Sequence, residues 1–419
     1  MREVPIGSEI DDFNEKFAFL KSLPLFKLLK KLIIDLKYLL IIFVIIFILT
    51  VPVFDSFFAK TIFDLTPFIK YVSDCKNSIL YNREKIYNNH PYISICISAL
   101  NMQDYIEKNL LSILNQSFQD FEIIIVNDAS EDKTESIIKR IQSYDKRIKL
   151  LTHKKKLGVY RSRIETIFNS RSKYILLMDP DDMYLNENLF QELYDYNNIK
   201  NLDIIEFSVL EQIDGKDIIM SPKYHFHTHY HRFQKEIIYQ PELSSILHYL
   251  PGTNNYSRTI CRNIWNKLIR SEIFIHSSNY IGKDYYNQYI ITADDMLLNI
   301  VSYQFAQNYS NINLLGYLYN LRNSSMSRGG TDEIREIRSI NVLFYFQIFY
   351  KLIRDYKKDI NFLLYEMKSF QPTILRIKNN NLKEYIPIQL ELIEQILKQN
   401  NVSKDFETYL QNLSIYFKK

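Results

Sequence analysis

Three carboxylates within four residues form the strongest chemical signal in this chain. Asp179-Pro180-Asp181-Asp182 directly follows the apolar run Tyr174–Met178, and the proline prevents the segment from continuing at once as a helix. Carboxylates this close repel one another unless a cation is bound, and their oxygens are ligands that Mg²⁺ and Mn²⁺ take in proteins. Such an ion can bridge to a diphosphate and neutralise a leaving group. Because aspartate is also common in turns and at helix N-caps, the tetrapeptide alone leaves a purely structural role open.

The residues around this cluster alternate between strand and helix patterns. Short apolar runs predict buried strands at 94–99, 122–126, 147–151 and 174–178, and helical patterns lie between them. This alternation predicts an α/β fold with a doubly wound, mostly parallel sheet. Ligands of such sheets bind at the carboxyl ends of the strands. The polar clusters of the sequence fall at those ends, at Ser98 to Asn101, Asn127 to Ser130 and Asp179 to Asp182.

Residues 94–182 resemble the nucleotide-binding half of the family 2 glycosyltransferases, which are inverting enzymes of the GT-A fold. The resemblance is carried, in chain order, by SICISALN, SILNQSFQDFEIIIVNDASED, LGVYRSR and YILLMDPDD. Four positions depart from the family pattern. Ser98 replaces a common proline, Leu100 a common tyrosine, and Asn127 and Ala129 replace the Asp and Gly of the usual DDGS. None of these changes removes an obligatory metal ligand.

The resemblance implies a donor site with a divalent metal, Mn²⁺ or Mg²⁺. Asp128 is expected to accept a hydrogen bond from the nucleotide base, and Arg163 to approach the base or the phosphates. Asp181 is expected to be the principal metal ligand, with Asp179 contacting the ribose or the metal. The residues assigned to nucleotide-sugar binding are Ser98, Asn101, Asp128, Arg163, Asp179 and Asp181.

The second half of the chain resembles the acceptor side of the same family in shorter segments. Within NIWNKLIRSEIF, Trp265 is a candidate platform for a sugar face, with a core position as the alternative. Asp182 is assigned to acceptor binding or to a structural role. Thr292-Ala293-Asp294-Asp295-Met296 corresponds to the family's Gly-Glu-Asp segment, which makes Asp295 the expected general base and Asp294 its acceptor-binding partner. An N-cap pair before a helix is the alternative for these two acids.

A second arginine contact is expected at the closing strand of the domain. YLYNLRNSSMSR resembles the family's closing strand and the turn that follows it, so Arg322 or Arg328 is expected to meet the diphosphate. A solvated surface arginine is the alternative.

The flanks of this domain predict a membrane anchor and a helical extension. Tyr38–Phe54 carries no charge and is long enough to span a bilayer. The lysines that precede it predict a cytoplasmic N-terminus and a single-pass type II orientation. The catalytic domain is then expected in the Golgi or ER lumen. A catalytic domain on the cytoplasmic face is the alternative. The expected organisation is a tail (1–31), a transmembrane anchor (32–54), a stem (55–90), a glycosyltransferase domain (91–330, with a nucleotide-binding half 91–182 and an acceptor half 183–330) and a helical C-terminal region (331–419).

Composition excludes several other classes of protein. The net charge of +4 with dispersed basic residues does not indicate nucleic-acid binding. Three cysteines cannot form a disulfide scaffold, although a Cys75–Cys261 pair stays open and Cys96 is expected in the core.

The alternating histidines from His225 to His231 predict an exposed strand or loop, with metal binding or pH sensing as the alternative.

These patterns together predict a glycosyltransferase that uses a single displacement. The resemblance to family 2 implies a nucleotide-sugar donor, with UDP the commoner nucleotide in that family and GDP and others as alternatives, and the expected acceptor is a hydroxyl on a glycan, protein or lipid. Two alternatives stay open, a polyprenyl-phosphate sugar synthase and an inactive, membrane-anchored carbohydrate-binding relative. Asn-X-Ser sequons such as those at Asn255, Asn308, Asn323, Asn401 and Asn412 are compatible with a lumenal domain.

Overall fold

A computed structural model gives the arrangement of the part of the chain that follows the predicted anchor. It describes residues 66–78, 80–81, 83–213, 217–219, 236–240, 263–322, 331–357, 363, 366–368, 370–379, 382–399, 402 and 404–418. All of these lie within one unit, Leu65–Lys419. The predicted anchor at 32–54 and the histidines at 225–231 lie outside the described residues.

Strands and helices alternate through the first half of this unit and give way to helices at its end. The strands are β1 (Ile93–Ala99), β2 (Phe121–Asn127), β3 (Ile148–Thr152), β4 (Tyr174–Met178), β5 (Met183–Tyr184), β6 (Ile204–Ile213), β7 (Asp217–Ile219), β8 (Ile238–Tyr239), β9 (Lys267–Arg270) and β10 (Asn308–Leu321). The helices are α1 (Thr66–Lys76), α2 (Ile106–Leu114), α3 (Thr134–Gln142), α4 (Val159–Phe168), α5 (Leu189–Lys200), α6 (Ser271–Ile281), α7 (Lys283–Tyr286), α8 (Asp294–Phe305), α9 (Asp332–Tyr356), α10 (Gln371–Asn379), α11 (Ile386–Leu397) and α12 (Lys404–Lys418), with a 3₁₀ turn at Lys383–Tyr385.

One mixed sheet contains all of these strands. Its order is β3-β2-β1-β4-β9-β6-β10-β5, with β7 beside β6 and β8 beside β10. The first four strands are parallel, which confirms the predicted parallel sheet. In the second half, β9 runs antiparallel to both β4 and β6, whereas β10 runs parallel to β6. The short strand β5 returns antiparallel against β10 and brings the acidic tetrapeptide beside it.

The alternating side chains of the strands divide the core between the two faces of the sheet. Ile93, Ile95 and Ile97 pack with α2 and α5 on one face. Cys96, between them in sequence, packs on the other face with α4, α6, α8 and α9. Both faces are buried because side chains alternate along a strand and helices cover each side. This explains why the parallel strands are continuously apolar in sequence.

The ends of the described chain are helical. Helix α1 lies in the segment that was expected to be a stem, and its Tyr71 hydroxyl donates a 2.6 Å hydrogen bond to the Ser112 carbonyl. Cys75 in the same helix and Cys96 are buried free thiols. Helices α9 to α12 pack on the face that holds α8, in agreement with the predicted helical C-terminal region. Within the described part of the chain, no helix has the length and apolar character that a membrane span requires.

Candidate active site

The carboxyl ends of β1, β2 and β4 open into one cleft. Its volume is about 540 Å³, and residues from β10 and from the start of α8 form its other wall. Nine of the ten predicted site residues line it, namely Ser98, Asn101, Asp128, Arg163, Asp179, Asp181, Trp265, Asp294 and Asp295. Residues that were picked from separate parts of the sequence therefore meet at one place.

The acidic tetrapeptide is held in place by a buried asparagine of α2. The Asn109 side-chain nitrogen donates to the carbonyls of Asp179, at 3.0 Å, and Asp182, at 2.9 Å. The Tyr317 hydroxyl accepts from the Asp179 backbone nitrogen at 3.3 Å. Asn109 is not among the predicted site residues, although an asparagine on the apolar face of an amphipathic helix is a signal that it has a buried partner.

Asp182 does not line the cleft, which corrects the acceptor-binding role that was assigned to it. It is 1% exposed, and its oxygens accept hydrogen bonds from the Tyr317 hydroxyl at 2.7 Å and from the Asn320 backbone nitrogen at 2.8 Å. Burial and the negative charges of Asp181 and Asp179 raise its pKa well above the usual value. Asp182 therefore joins the acidic loop to β10 beneath the cleft, and the structural alternative holds.

Arg163 connects the two walls of the cleft. Its guanidinium donates to Asp179 at 2.6 Å and to Asp294 at 2.5 Å. Burial by itself lowers the pKa of this arginine, but the charges of Asp294 and Asp179 outweigh it and the net shift is upward. A cation held between two carboxylates fixes the distance between the two walls of the cleft.

Asp181 is the acid of the tetrapeptide that pairs with Arg322, the residue that directly follows β10. The Arg322 Nε donates to it at 2.6 Å, and the Arg322 guanidinium lies 4.7 Å from the centre of the Tyr105 ring. Burial and the Asp179 charge raise the pKa of Asp181, although Arg322 opposes them. Arg322, expected from the sequence to meet a diphosphate, thus lines the cleft beside the carboxylate assigned to the metal.

The carboxylates of the cleft suit a divalent ion that binds together with a phosphate-bearing substrate. In the described ranges, no group of three or more His, Cys, Asp or Glu side chains forms a metal site by itself. Mg²⁺, however, usually binds through one or two carboxylates together with substrate phosphates and water. Asp181 and Asp179 supply such a pair of oxygen donors in the cleft. These residues therefore fit a divalent cation bound jointly with a diphosphate.

Asp294 and Asp295 begin α8 on the opposite wall. The preceding Ala293 has the left-handed backbone conformation, with φ of 62°, which turns the chain into the helix. Burial raises the pKa of Asp295 to about 6, helped by the Asp294 charge and opposed by Arg163. A carboxylate with a pKa near the working pH is suited to general base catalysis. Asp294 is instead engaged by Arg163, so the two acids have separate environments.

Trp265 is both a core residue and part of the cleft wall. Its indole stacks with the rings of Tyr317 and Tyr319, at centroid distances of 4.6 and 5.0 Å. Only 3% of its surface is exposed. The two alternatives considered for this tryptophan are therefore compatible, because an aromatic wall can be packed from behind and still limit the cleft.

Asp128 organises the loop 153–158 beside the cleft. Its Oδ1 accepts from the Leu157 nitrogen at 2.8 Å, and its Oδ2 from the Gly158 nitrogen at 2.9 Å. The ring of His153 contacts Asp128 Oδ1 at 2.7 Å. Nearby, the Asn101 Oδ1 accepts from the Glu131 nitrogen at 2.8 Å, in a residue with φ of 54°. His153 is not among the predicted site residues, because no motif around it indicates a half-buried histidine between two carboxylates.

Gly158 is required by both its conformation and its surroundings, and this gives a testable prediction. Its φ is +94°, and a Cβ atom there would lie 2.6 Å from the Ile290 carbonyl oxygen. Gly282 has nearly the same backbone, with φ of +91°, but a Cβ there would meet no atom closer than 3.9 Å. We expect Gly282→Ala to lower the free energy of unfolding by about 1–3 kcal/mol through backbone strain. Gly158→Ala should lose roughly 1–3 kcal/mol more through overpacking.

Chemical denaturation of the two alanine variants measures this difference. The pair is matched because the substitution and the backbone conformation are the same, and only the contact with Ile290 differs. If both variants lose the same free energy of unfolding, the contact between the new Cβ atom and the Ile290 carbonyl is relieved at no cost in free energy, and the prediction is wrong.

Comparison with known proteins agrees with this geometry. Residues 94–265 match the family model described as glycosyl transferase family 2. The chain is 24% identical to the uncharacterised glycosyltransferase EpsJ of Bacillus subtilis, over 57% of this chain and 63% of EpsJ. It is 25% identical to the glycosyltransferase GlyA of Streptococcus pneumoniae, over 58% of this chain and 32% of GlyA. This chain thus spans less than two thirds of the length of these relatives.

A solved structure shares the fold. Residues 1–349 of S. aureus TarS, crystallised in complex with UDP, superpose with a TM-score of 0.50 at 16% identity, over 78% of this chain and 88% of that one. Residues 94–265 are therefore similar to family 2 of the glycosyltransferases, and the described unit has a mixed α/β fold like GT-A.

Proposed function

We propose that this protein transfers a sugar from a UDP-sugar to a hydroxyl group of a glycan, protein or lipid, with inversion at the anomeric carbon. The observation that carries the proposal is the composition of the cleft. Asp128, Asp179 and Asp181 lie on one wall, and Asp295, with its raised pKa, lies on the other. The family 2 domain supports the reaction class, and a protein of the same fold was crystallised with UDP, which supports the nucleotide.

The donor wall would bind the nucleotide and its diphosphate. Asp128 would accept a hydrogen bond from the base; Ser98 and Asn101 line the same cleft. Asp181 and Asp179 would hold a Mn²⁺ or Mg²⁺ ion, which neutralises the charge of the leaving diphosphate when it is bound. Arg322 lies next to Asp181 and can add a second positive charge to the same leaving group.

The acceptor wall would activate the nucleophile. The Asp295 carboxylate takes the proton of the acceptor hydroxyl, and the hydroxyl oxygen forms a bond to the anomeric carbon. The bond from that carbon to the diphosphate oxygen breaks, and its electron pair leaves with the diphosphate. Attack from the face opposite the leaving group inverts the anomeric centre. Arg163 keeps Asp294 paired, so the charge of Asp294 does not compete for the proton.

We also propose that residues 32–54 attach the domain to a membrane, as the uncharged run in the sequence indicates. The lysines before this run favour a cytoplasmic N-terminus. Carbonate extraction of membranes from cells that make the full chain tests the attachment, since an integral protein stays in the pellet. Recovery of the full chain in the extract would contradict it.

The proposed reaction predicts nucleotide release that depends on a divalent ion. The full chain, purified in detergent, is mixed with UDP- and GDP-sugars, and release of UDP or GDP is measured with Mn²⁺, with Mg²⁺ and with EDTA. We expect turnover of a UDP-sugar that EDTA abolishes. Asp181→Asn should lower that turnover by about 100-fold or more, because a developing charge loses its counter-ion.

Asp195→Asn is the matched control, since Asp195 is exposed on α5 and away from the cleft. It should turn over the donor at the rate of the unmodified protein. A wild-type protein that neither turns over a nucleotide sugar nor binds a nucleotide would refute the proposed function.

A further inference from the structure

His153 lies between two carboxylates at the base end of the cleft. Its Nδ1 is 2.7 Å from Asp128 Oδ1, and its Nε2 is 2.8 Å from Glu165 Oε2. Carboxylates accept hydrogen bonds, and a neutral imidazole carries a proton on only one of its nitrogens. Both contacts can therefore form together only when the ring is the imidazolium cation.

The Glu165 carboxylate, which contacts the Nε2 side of His153, is itself held by hydrogen bonds. Glu165 Oε1 accepts from the Tyr286 hydroxyl at 2.9 Å and from the Arg161 Nε at 3.2 Å. The Arg161 guanidinium also lies over the Tyr286 ring, 4.6 Å from its centre. Helices α4 and α7 thus hold Glu165 so that its other oxygen points at His153.

The Asp128 carboxylate has one hydrogen-bond acceptor position left. A carboxylate has about four lone-pair sites. In the described structure three donors use those of Asp128, namely the Leu157 nitrogen, the Gly158 nitrogen and the His153 ring. Asp128 also lines the cleft, so a ligand can reach it. The remaining site suits one N–H donor of a nucleotide base.

We propose that His153 is a positioning residue for the nucleotide, which as a cation fixes Asp128 and the loop 153–158 in the arrangement that accepts a base N–H. This inference rests on the proposed function, in which Asp128 meets the base. His153 also anchors the loop directly, because its backbone nitrogen donates to the Asn127 carbonyl at 2.9 Å. The histidine acts through Asp128 and the loop, and it touches no substrate.

The proposal predicts a pH dependence with a definite sign. Burial lowers the pKa of His153, but its hydrogen bonds to Asp128 and Glu165 outweigh burial and raise it above 6.5. The charged and titratable groups that face the ring are Asp128 at the end of β2 and Glu165 on α4, and Arg161 and Tyr286 contact Glu165. The cation is present below the raised pKa and is lost as the pH rises through it. Affinity for the nucleotide therefore falls with rising pH.

The test measures the dissociation constant of UDP for the full chain by calorimetry, between about pH 6 and pH 8.5. The unmodified protein should lose about tenfold in affinity across this range, because a charge-assisted hydrogen bond is lost. His153→Gln should bind UDP weakly at every pH, with no such fall. Glu165→Gln keeps the histidine but removes one carboxylate, so the fall should occur at a lower pH.

Two controls separate this effect from other titrations. His276→Gln changes an exposed histidine on α6 and should leave the pH profile of the unmodified protein intact. Uridine, which carries no phosphate, should show the same fall as UDP, whereas titration of the diphosphate would affect UDP alone.

The outcomes distinguish this inference from the proposed function. If the unmodified protein binds UDP with a pH-independent affinity, or if the fall persists in His153→Gln, this inference is wrong and the proposed function stands. If the fall in UDP affinity has the same pH midpoint in Glu165→Gln as in the unmodified protein, the inference is also wrong. Glu165→Gln is the decisive variant if His153→Gln does not fold. If the unmodified protein binds no nucleotide at any pH, both proposals fail together.

Discussion

Replacing Asp295 with asparagine is expected to lower the rate of sugar transfer about 100- to 10,000-fold, which is the usual contribution of a general base. The amide keeps the size of the side chain, and its oxygen can still accept the 2.8 Å hydrogen bond from the Met296 nitrogen. It cannot take a proton from an acceptor hydroxyl. The donor wall is unchanged, so the KM for the nucleotide sugar should stay near that of the unmodified protein. Initial rates with a donor that the protein turns over, and with its acceptor, measure both quantities.

The pH profile gives a second measure of the same residue. Burial raises the pKa of Asp295 to about 6, and the base must be ionised to act. The transfer rate of the unmodified protein should therefore fall as the pH falls through about 6, and Asp295→Asn should lack this acid limb. Asp355→Asn is the control, because Asp355 is an exposed acid on α9 that pairs with Arg354. Full transfer activity in Asp295→Asn would assign the base to another residue.

The sequence was sufficient for the parallel half of the sheet because the signals there are local. Each strand is a short apolar run, and polar residues follow at its end, as in β2 and Asp128. Parallel strands end at the same edge, so clusters far apart in sequence were expected to meet. The cleft confirms that expectation for Ser98, Asp128 and Asp179.

The roles within the acidic tetrapeptide depended on contacts that no local pattern contains. Asp182 is separated by 135 residues from Tyr317, whose hydroxyl binds it. Asp181 pairs with Arg322, also on the far side of the chain. Which acid faces the cleft is decided by the packing of β10 against this loop. A motif of three aspartates therefore predicts the place of the site but not the direction of each side chain.

Two departures from the family pattern have a common physical meaning in the structure. Ala129 and Ala293 stand where the family usually has glycine, and both have left-handed backbones, with φ of 57° and 62°. Only glycine takes this conformation without steric cost. This chain thus keeps both left-handed turns with alanine. The backbone of the site is retained where the residue type has changed.

A buried ion pair between Lys267 and Glu206 is expected to make a large contribution to stability. Lys267 is fully buried and lies opposite Glu206 across β9 and β6, with its Nζ 3.2 Å from the carboxylate. Beside this ion pair, the Lys267 Nζ donates hydrogen bonds to the Asn263 carbonyl at 2.5 Å and to Asn266 Oδ1 at 2.9 Å. Asn263 lines the cleft, so this pair also supports the site.

Lys267→Met is expected to lower the free energy of unfolding by about 3–5 kcal/mol, because it leaves the Glu206 carboxylate buried without its counter-ion. Denaturant unfolding of the full chain measures this loss. Lys283→Met, at an exposed position on α7, should change it by less than about 0.5 kcal/mol. Glu206→Gln added to Lys267→Met removes the unpaired charge while keeping an acceptor for the hydroxyls of Tyr303 and Tyr309. The double variant should therefore be more stable than Lys267→Met alone, and a double variant that is less stable would show that the lost charge pair is not the cause.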